Sequence, residues 1–179
     1  MMRQLSAALI LLVACWTVVG CGPKGANSAG QGADSHAQEQ ASAQDCKAFA
    51  TQYAQLMMKR DFNGMRALGT QAYQVSHTME QLQAGFDEKF NDLVTGEPNF
   101  KLTSYEIDNG SLPSSVKEAQ DTYGIKDPPD QKTWRGWYFC VIGQGEKPTS
   151  VDKGFEARIF IVDEGGQLKV AYSEFAFPH

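Results

Sequence analysis

The sequence predicts an α+β domain in which N-terminal amphipathic helices pack on a curved antiparallel sheet. Three observations carry this. From Cys46 to Leu93 apolar side chains recur at helical spacing, whereas from Phe100 onward aromatic and β-branched runs alternate with turn residues. The last two runs flank Asp163-Glu164-Gly165-Gly166, a hairpin signature. Helices first and strands afterwards, rather than alternating units, is the order of an α+β chain.

In the first helix Cys46, Phe49, Tyr53 and Leu56 make one face, which Ala50 and Met57 widen. It ends near Lys59-Arg60, basic residues that suit the negative end of a helix. Asp61-Phe62-Asn63-Gly64 turns the chain into a short second helix at Met65 to Leu68. A third begins after Thr78, because Thr78-Met79-Glu80-Gln81 matches a capping box. Met79, Leu82, Phe86, Phe90 and Leu93 mark its buried face, and Gly96 with Pro98 stops it.

The first strand spans Phe100 to Ile107 and ends at Asp108-Asn109-Gly110. Ser115 caps a short helix that reaches Tyr123, with Gly124 as its stop, and Lys126-Asp127-Pro128-Pro129-Asp130 is a rigid loop. Trp134 to Ile142, Phe155 to Val162 and Leu168 to Phe177 are the remaining strands. With a bulge at Arg135-Gly136, Trp137 and Phe139 are expected on one face and Trp134, Tyr138 and Cys140 on the other. In the last strand Leu168, Val170, Tyr172 and Ala176 are expected opposite Lys169, Ala171, Ser173, Phe175 and Phe177, with helices covering one side of the sheet only.

This single domain occupies residues 45–179. Ahead of it, Arg3 precedes an apolar run from Leu5 to Gly20 that ends in small residues, as a secretory signal peptide does. Val18-Val19-Gly20-Cys21 resembles the lipobox of bacterial lipoproteins. That resemblance implies a signal peptide of residues 1–20, cleavage before Cys21, lipidation of its thiol and attachment to a membrane. Leu12-Val13-Ala14-Cys15 also fits the pattern, but cleavage there leaves an apolar Trp16-Thr17-Val18-Val19 behind it, whereas cleavage at Cys21 leaves polar Gly22-Pro23-Lys24. By the same resemblance, Gly22 in place of Asp points to the outer membrane, with the domain facing the periplasm of the cell envelope. Residues 21–44 read as the lipidated cysteine and a flexible Gly/Ala/Ser/Gln tether, His36 among them, with a reach of about 25–30 Å.

The chain has 16 basic and 21 acidic residues. Loss of residues 1–20 removes only Arg3, leaving 15 against 21, a net of −6. That balance excludes nucleic acid as a partner, which requires clustered Lys and Arg. Cys46 and Cys140 remain after Cys15 and Cys21 are spent. They either close a disulfide, whose loop of roughly ninety residues is worth about 4–5 kcal/mol, or stay as two buried thiols. No C-x-x-C occurs, and no cofactor or metal is implied.

The helix Ala48-Phe49-Ala50-Thr51-Gln52-Tyr53-Ala54-Gln55-Leu56, the turn Lys59-Arg60-Asp61-Phe62 and the closing pair of strands together resemble the nuclear transport factor 2-like superfamily, the cystatin-like cone. The resemblance covers about 130 residues. It implies a cone whose mouth the inserted Leu112–Asp130 alters. Its members include isomerases, dehydratases, cyclases, ligand carriers and dimerising subunits, so it does not fix an activity.

Candidate pocket residues are few. Trp134, Arg135, Trp137 and Tyr138 combine rings and a cation able to line a hydrophobic cone or an interface. His77, before the third helix, suits a general base, or is a solvated cap residue. Asp127 and Asp130 flank two prolines but lack the alternating spacing of a calcium loop, and His179 ends the chain. No catalytic constellation is legible. The expectation is an anchored envelope module that binds a small apolar ligand, an envelope protein or a second copy of itself, with a cone-pocket enzyme or a structural component as alternatives.

Overall fold

The computed structural model describes residues 33–148 and 153–178, with side chains from residue 45. The signal peptide, Cys15, Cys21 and His179 lie outside the described residues. Helix α1 (Ala33–Met58) is followed by α2 (Phe62–Ala67), α3 (Gln71–Ser76) and α4 (Met79–Gly96). Strand β1 (Ser104–Gly110), helix α5 (Val116–Asp121), a 3-10 turn (Gln131–Thr133), β2 (Trp134–Gly143), β3 (Gly154–Glu164) and β4 (Gln167–Ala176) complete the chain. The fold class is α+β, with helices packed on a four-stranded antiparallel meander of order β1-β2-β3-β4. No helix among the described residues is long and apolar enough to cross a membrane.

Helix α1 corrects one expectation. It starts at Ala33, so residues 33–44 are helical rather than flexible tether. Alanine, glutamine and glutamate dominate that stretch; they lack bulk for a core but are among the strongest helix formers. Past its end Arg60 takes φ 54°. Its guanidinium lies 4.9 Å from the Phe86 ring centre and 4.3 Å from that of Phe90, which ties the turn to α4. Asp61 caps α2 by accepting from Gly64 N at 2.8 Å. The expected capping box of α4 is present in both directions: Gln81 N donates to Thr78 Oγ1 and Thr78 N donates to Gln81 Oε1. Helix α3, absent from the sequence reading, is capped by Thr70, which accepts from Tyr73 N.

Strand β1 runs later than expected. Asp108, Asn109 and Gly110 pair with Phe139, Tyr138 and Trp137, because the long β2 ladder outweighs local turn preference. Ser115 caps the short helix α5 as predicted, but the helix ends at Asp121 rather than Tyr123, ahead of Gly124 (φ +69°). Between β3 and β4 the turn is Gly165-Gly166, both at positive φ, with Glu164 opposite Gln167.

The sheet carries two cores. On its helix side Tyr53, Met57, Met65, Tyr73, Phe86, Ile142, Phe155, Ile159 and Ile161 are at most 1% exposed. Burying each such side chain contributes about 1.5–3 kcal/mol. On its far side Ala119 and Ile125 of the insert cover Trp134, Trp137, Phe160 and Val162. The sheet is therefore covered on both faces over part of its area, which corrects the one-sided expectation.

The bulges sort the faces. Arg135 is the extra residue where Trp134 pairs with Val162 and Gly136 with Ile161. That residue moves Trp134 to the far side with Trp137, leaving Tyr138, Cys140 and Ile142 toward the helices. The placement of Trp134 with Tyr138 and Cys140 is thus overturned: an extra residue shifts the two-residue alternation by one. A second irregularity occurs where Phe160 pairs with Tyr172 and Ile161 with Val170. It puts Leu168, Val170, Phe175 and Phe177 on the helix side and Ala171 and Tyr172 on the far side.

Candidate functional site

The five pocket candidates do not converge. Trp134 and Trp137 belong to the far core, where Trp134 Nε1 donates to Pro129 O at 2.9 Å and Trp137 meets Tyr123 edge-on at 4.9 Å and stacks near Tyr172 at 6.2 Å. Arg135 is half-buried and tied down: Nη1 donates to Lys132 O and Trp134 O, and Nη2 to Asp163 Oδ2 at 3.1 Å. Tyr138 is buried on the helix side, and desolvation pushes its phenol up, with the nearby Cys46 adding to the effect. His77 lies at the opposite edge of the sheet, at the end of α3. The rigid loop is also engaged: Asp130 caps the 3-10 turn and pairs with Lys132 at 2.9 Å. Among the described residues no three His, Cys, Asp or Glu side chains gather as a cation site.

His77 sits in a polar cluster of which the other members escaped the sequence reading. Its ring stacks on Tyr73 at 4.2 Å, and Nε2 donates to Ser173 O at 3.3 Å. Desolvation lowers its pKa, opposed in part by its backbone hydrogen bonds. Beneath it, Tyr53 Oη, Tyr73 Oη and Ser173 Oγ form a closed triangle of 3.2, 3.3 and 2.8 Å. A ring of three hydroxyls lets each donate once and accept once, so no buried polar atom is stranded. Burial raises both phenols above their usual range. Ser173, a polar residue on the helix-facing side of β4 between Val170 and Phe175, is the signal in the sequence that points to this cluster.

Cys46 and Cys140 are both buried and both free, so the disulfide alternative is not the one this structure adopts. Cys140 Sγ donates to Ala50 O at 3.4 Å, one helical turn from Cys46. Burial drives the Cys140 thiol far up, which keeps it protonated and unreactive.

A third group lies elsewhere on the far face. Arg158 Nε donates to Glu156 Oε1 at 2.7 Å and Nη1 to Glu174 Oε1 at 3.3 Å. Glu174 also accepts from Tyr172 Oη, whose acidity burial pushes to about 12. Arg158 Nη2 is buried without a hydrogen-bond partner among the described residues.

Two clefts open along β1. One, of about 620 Å³, is lined by Gln55, Met58, Lys59, Thr103, Ser104 and Tyr105. Another, of about 450 Å³, lies at the other end of the strand between Asn109, Leu112, Arg135 and Tyr138. Tyr105 is 40% exposed, its hydroxyl accepting from Gln55 Nε2. The two sheet edges differ. At β4, Thr70 N donates to Val170 O, Val170 N donates to Leu68 O, and His77 takes Ser173 O. At β1 no described residue extends the ladder outward.

No family model, curated protein or solved structure matches this chain.

Proposed function

We propose that this chain is an envelope lipoprotein, held through lipidated Cys21 on the periplasmic side of the outer membrane, whose domain is a protein-interaction module built on the nuclear transport factor 2-like plan. The observation that carries the interaction reading is the filled seam between helices and sheet. Tyr53, Met57, Tyr73, Phe86, Phe155 and Ile159 there are at most 1% exposed, and its hydroxyls bond one another. An apolar ligand in that seam would have to displace packed rings, whereas the clefts beside β1 lie at the surface. His77 caps a helix and holds a strand edge, and it lines neither of the two clefts beside β1.

Two experiments test this. Cys21→Ser in the full precursor is expected to leave it uncut or release it from the membrane fraction. Unchanged processing and membrane association would sink the anchor. For the domain, the mature chain carrying Cys21→Ser is purified from the periplasm and weighed by native mass spectrometry. The expected spectrum carries no small-molecule adduct. A retained adduct of defined mass would convert the module into a ligand carrier or an enzyme.

A further inference from the structure

We propose that the outer edge of β1 is a docking edge for an extended segment of another protein that alternates basic and apolar side chains. It rests on the interaction reading and specifies which surface acts and what it takes. Extended peptides bind by adding a strand to an open sheet edge: main-chain hydrogen bonds give affinity, and pockets for alternate side chains give specificity. Both parts are present. The β4 edge is closed by Leu68, Thr70 and His77, while β1 offers seven residues without an outward strand partner among the described residues. Tyr105, Ile107 and Asn109 alternate with Glu106 and Asp108. Asn109 pairs with Tyr138, which faces the helices, and Asp108 with Phe139, which packs in the far core. The first set is therefore on the helix side, where the two clefts open at either end of the strand.

The charge of the edge chooses the occupant. Glu106 and Asp108 have no ion-pair partner among the described residues. Arg158, two strands inward, is committed to Glu156 and Glu174. A second copy fits badly. The one antiparallel register that uses all seven residues puts Ile107 opposite itself, so Glu106 of each copy faces Asp108 of the other. Like charges directly opposite are destabilising, and opposite charges stabilise. An incoming strand with Lys or Arg opposite Glu106 and Asp108 has apolar neighbours opposite Tyr105, Ile107 and Asn109, where the clefts receive them.

The probe is an acetylated, amidated peptide alternating lysine with valine or threonine. It is titrated into the 15N-labelled mature chain carrying Cys21→Ser. Shift changes and slowed amide exchange are expected to centre on residues 104–110. Glu106→Lys with Asp108→Lys, at a half-buried and an exposed position of the edge strand, is expected to weaken binding about tenfold or more, and replacing the peptide lysines by glutamate to do the same. Undisturbed β1 amides at saturating peptide, equal binding of the acidic peptide, or shifts centred on another element would overturn the proposal. So would protection of β1 that appears with protein concentration alone, which would make the occupant a second copy. None of these outcomes bears on the adduct measurement, so the broader reading fails or survives separately.

Discussion

His77 bridges an edge and a core. Its Nε2 donates to Ser173 O while the ring lies on Tyr73, and the burial these contacts impose disfavours the charged form. Burial lowers its folded pKa below the ordinary 6.5. The unfolded chain then takes up the proton first, so the stability this residue supplies is complete above that value and declines as pH falls through it. Urea midpoints measured from pH 8 to pH 5 are expected to drop over this window in the wild type and to drop less in His77→Gln. Parallel curves for the two proteins would refute the assignment. The sequence marked His77 as special and offered two readings, base or cap. It did not join Tyr73 and Ser173 to it, because residues 100 positions apart meet only when α3 folds over the β4 edge.

Elements were legible where local chemistry decides them. Thr78 and Gln81 announce the start of α4, Ser115 starts α5, and Gly165-Gly166 closes the hairpin. They were illegible where a neighbour decides. The ladder with β2 carried β1 through Asp108-Asn109-Gly110, and one extra residue at Arg135 turned Trp134 to the other face. Helix α1 outran its apolar stripe because residues 33–44 are good helix formers with little to bury. The capping box invites a direct check: Thr78→Ala is expected to cost about 1 kcal/mol in chemical unfolding, and Thr78→Ser to recover most of it. No loss on Thr78→Ala would mean that packing alone holds the start of α4.

At the scale of the molecule the sequence foretold the class, helices before an antiparallel sheet, and not the second core. Leu112–Asp130 was visible as a segment between two strands, yet nothing in its polar composition said that Ala119 and Ile125 roof a nest of tryptophans. The candidate site was least legible of all. Its open edge is a property of strand order, which no single segment encodes.

The two buried thiols give the seam between α1 and β2 its own clock. Once Cys21 is replaced in the mature chain, Cys46 and Cys140 are the remaining sulfhydryls, and neither reacts while covered. Each alkylation event therefore counts an opening of the structure around it. Cys46 lies on the helix, and Cys140 in the middle of the sheet beneath it. Peptide mass mapping after timed exposure to iodoacetamide is expected to find Cys46 modified first, and Cys140 only at the rate of global unfolding. Simultaneous modification would make helix and sheet a single cooperative unit. A protein that takes no label after unfolding, and weighs two hydrogens less, would be a cross-linked one.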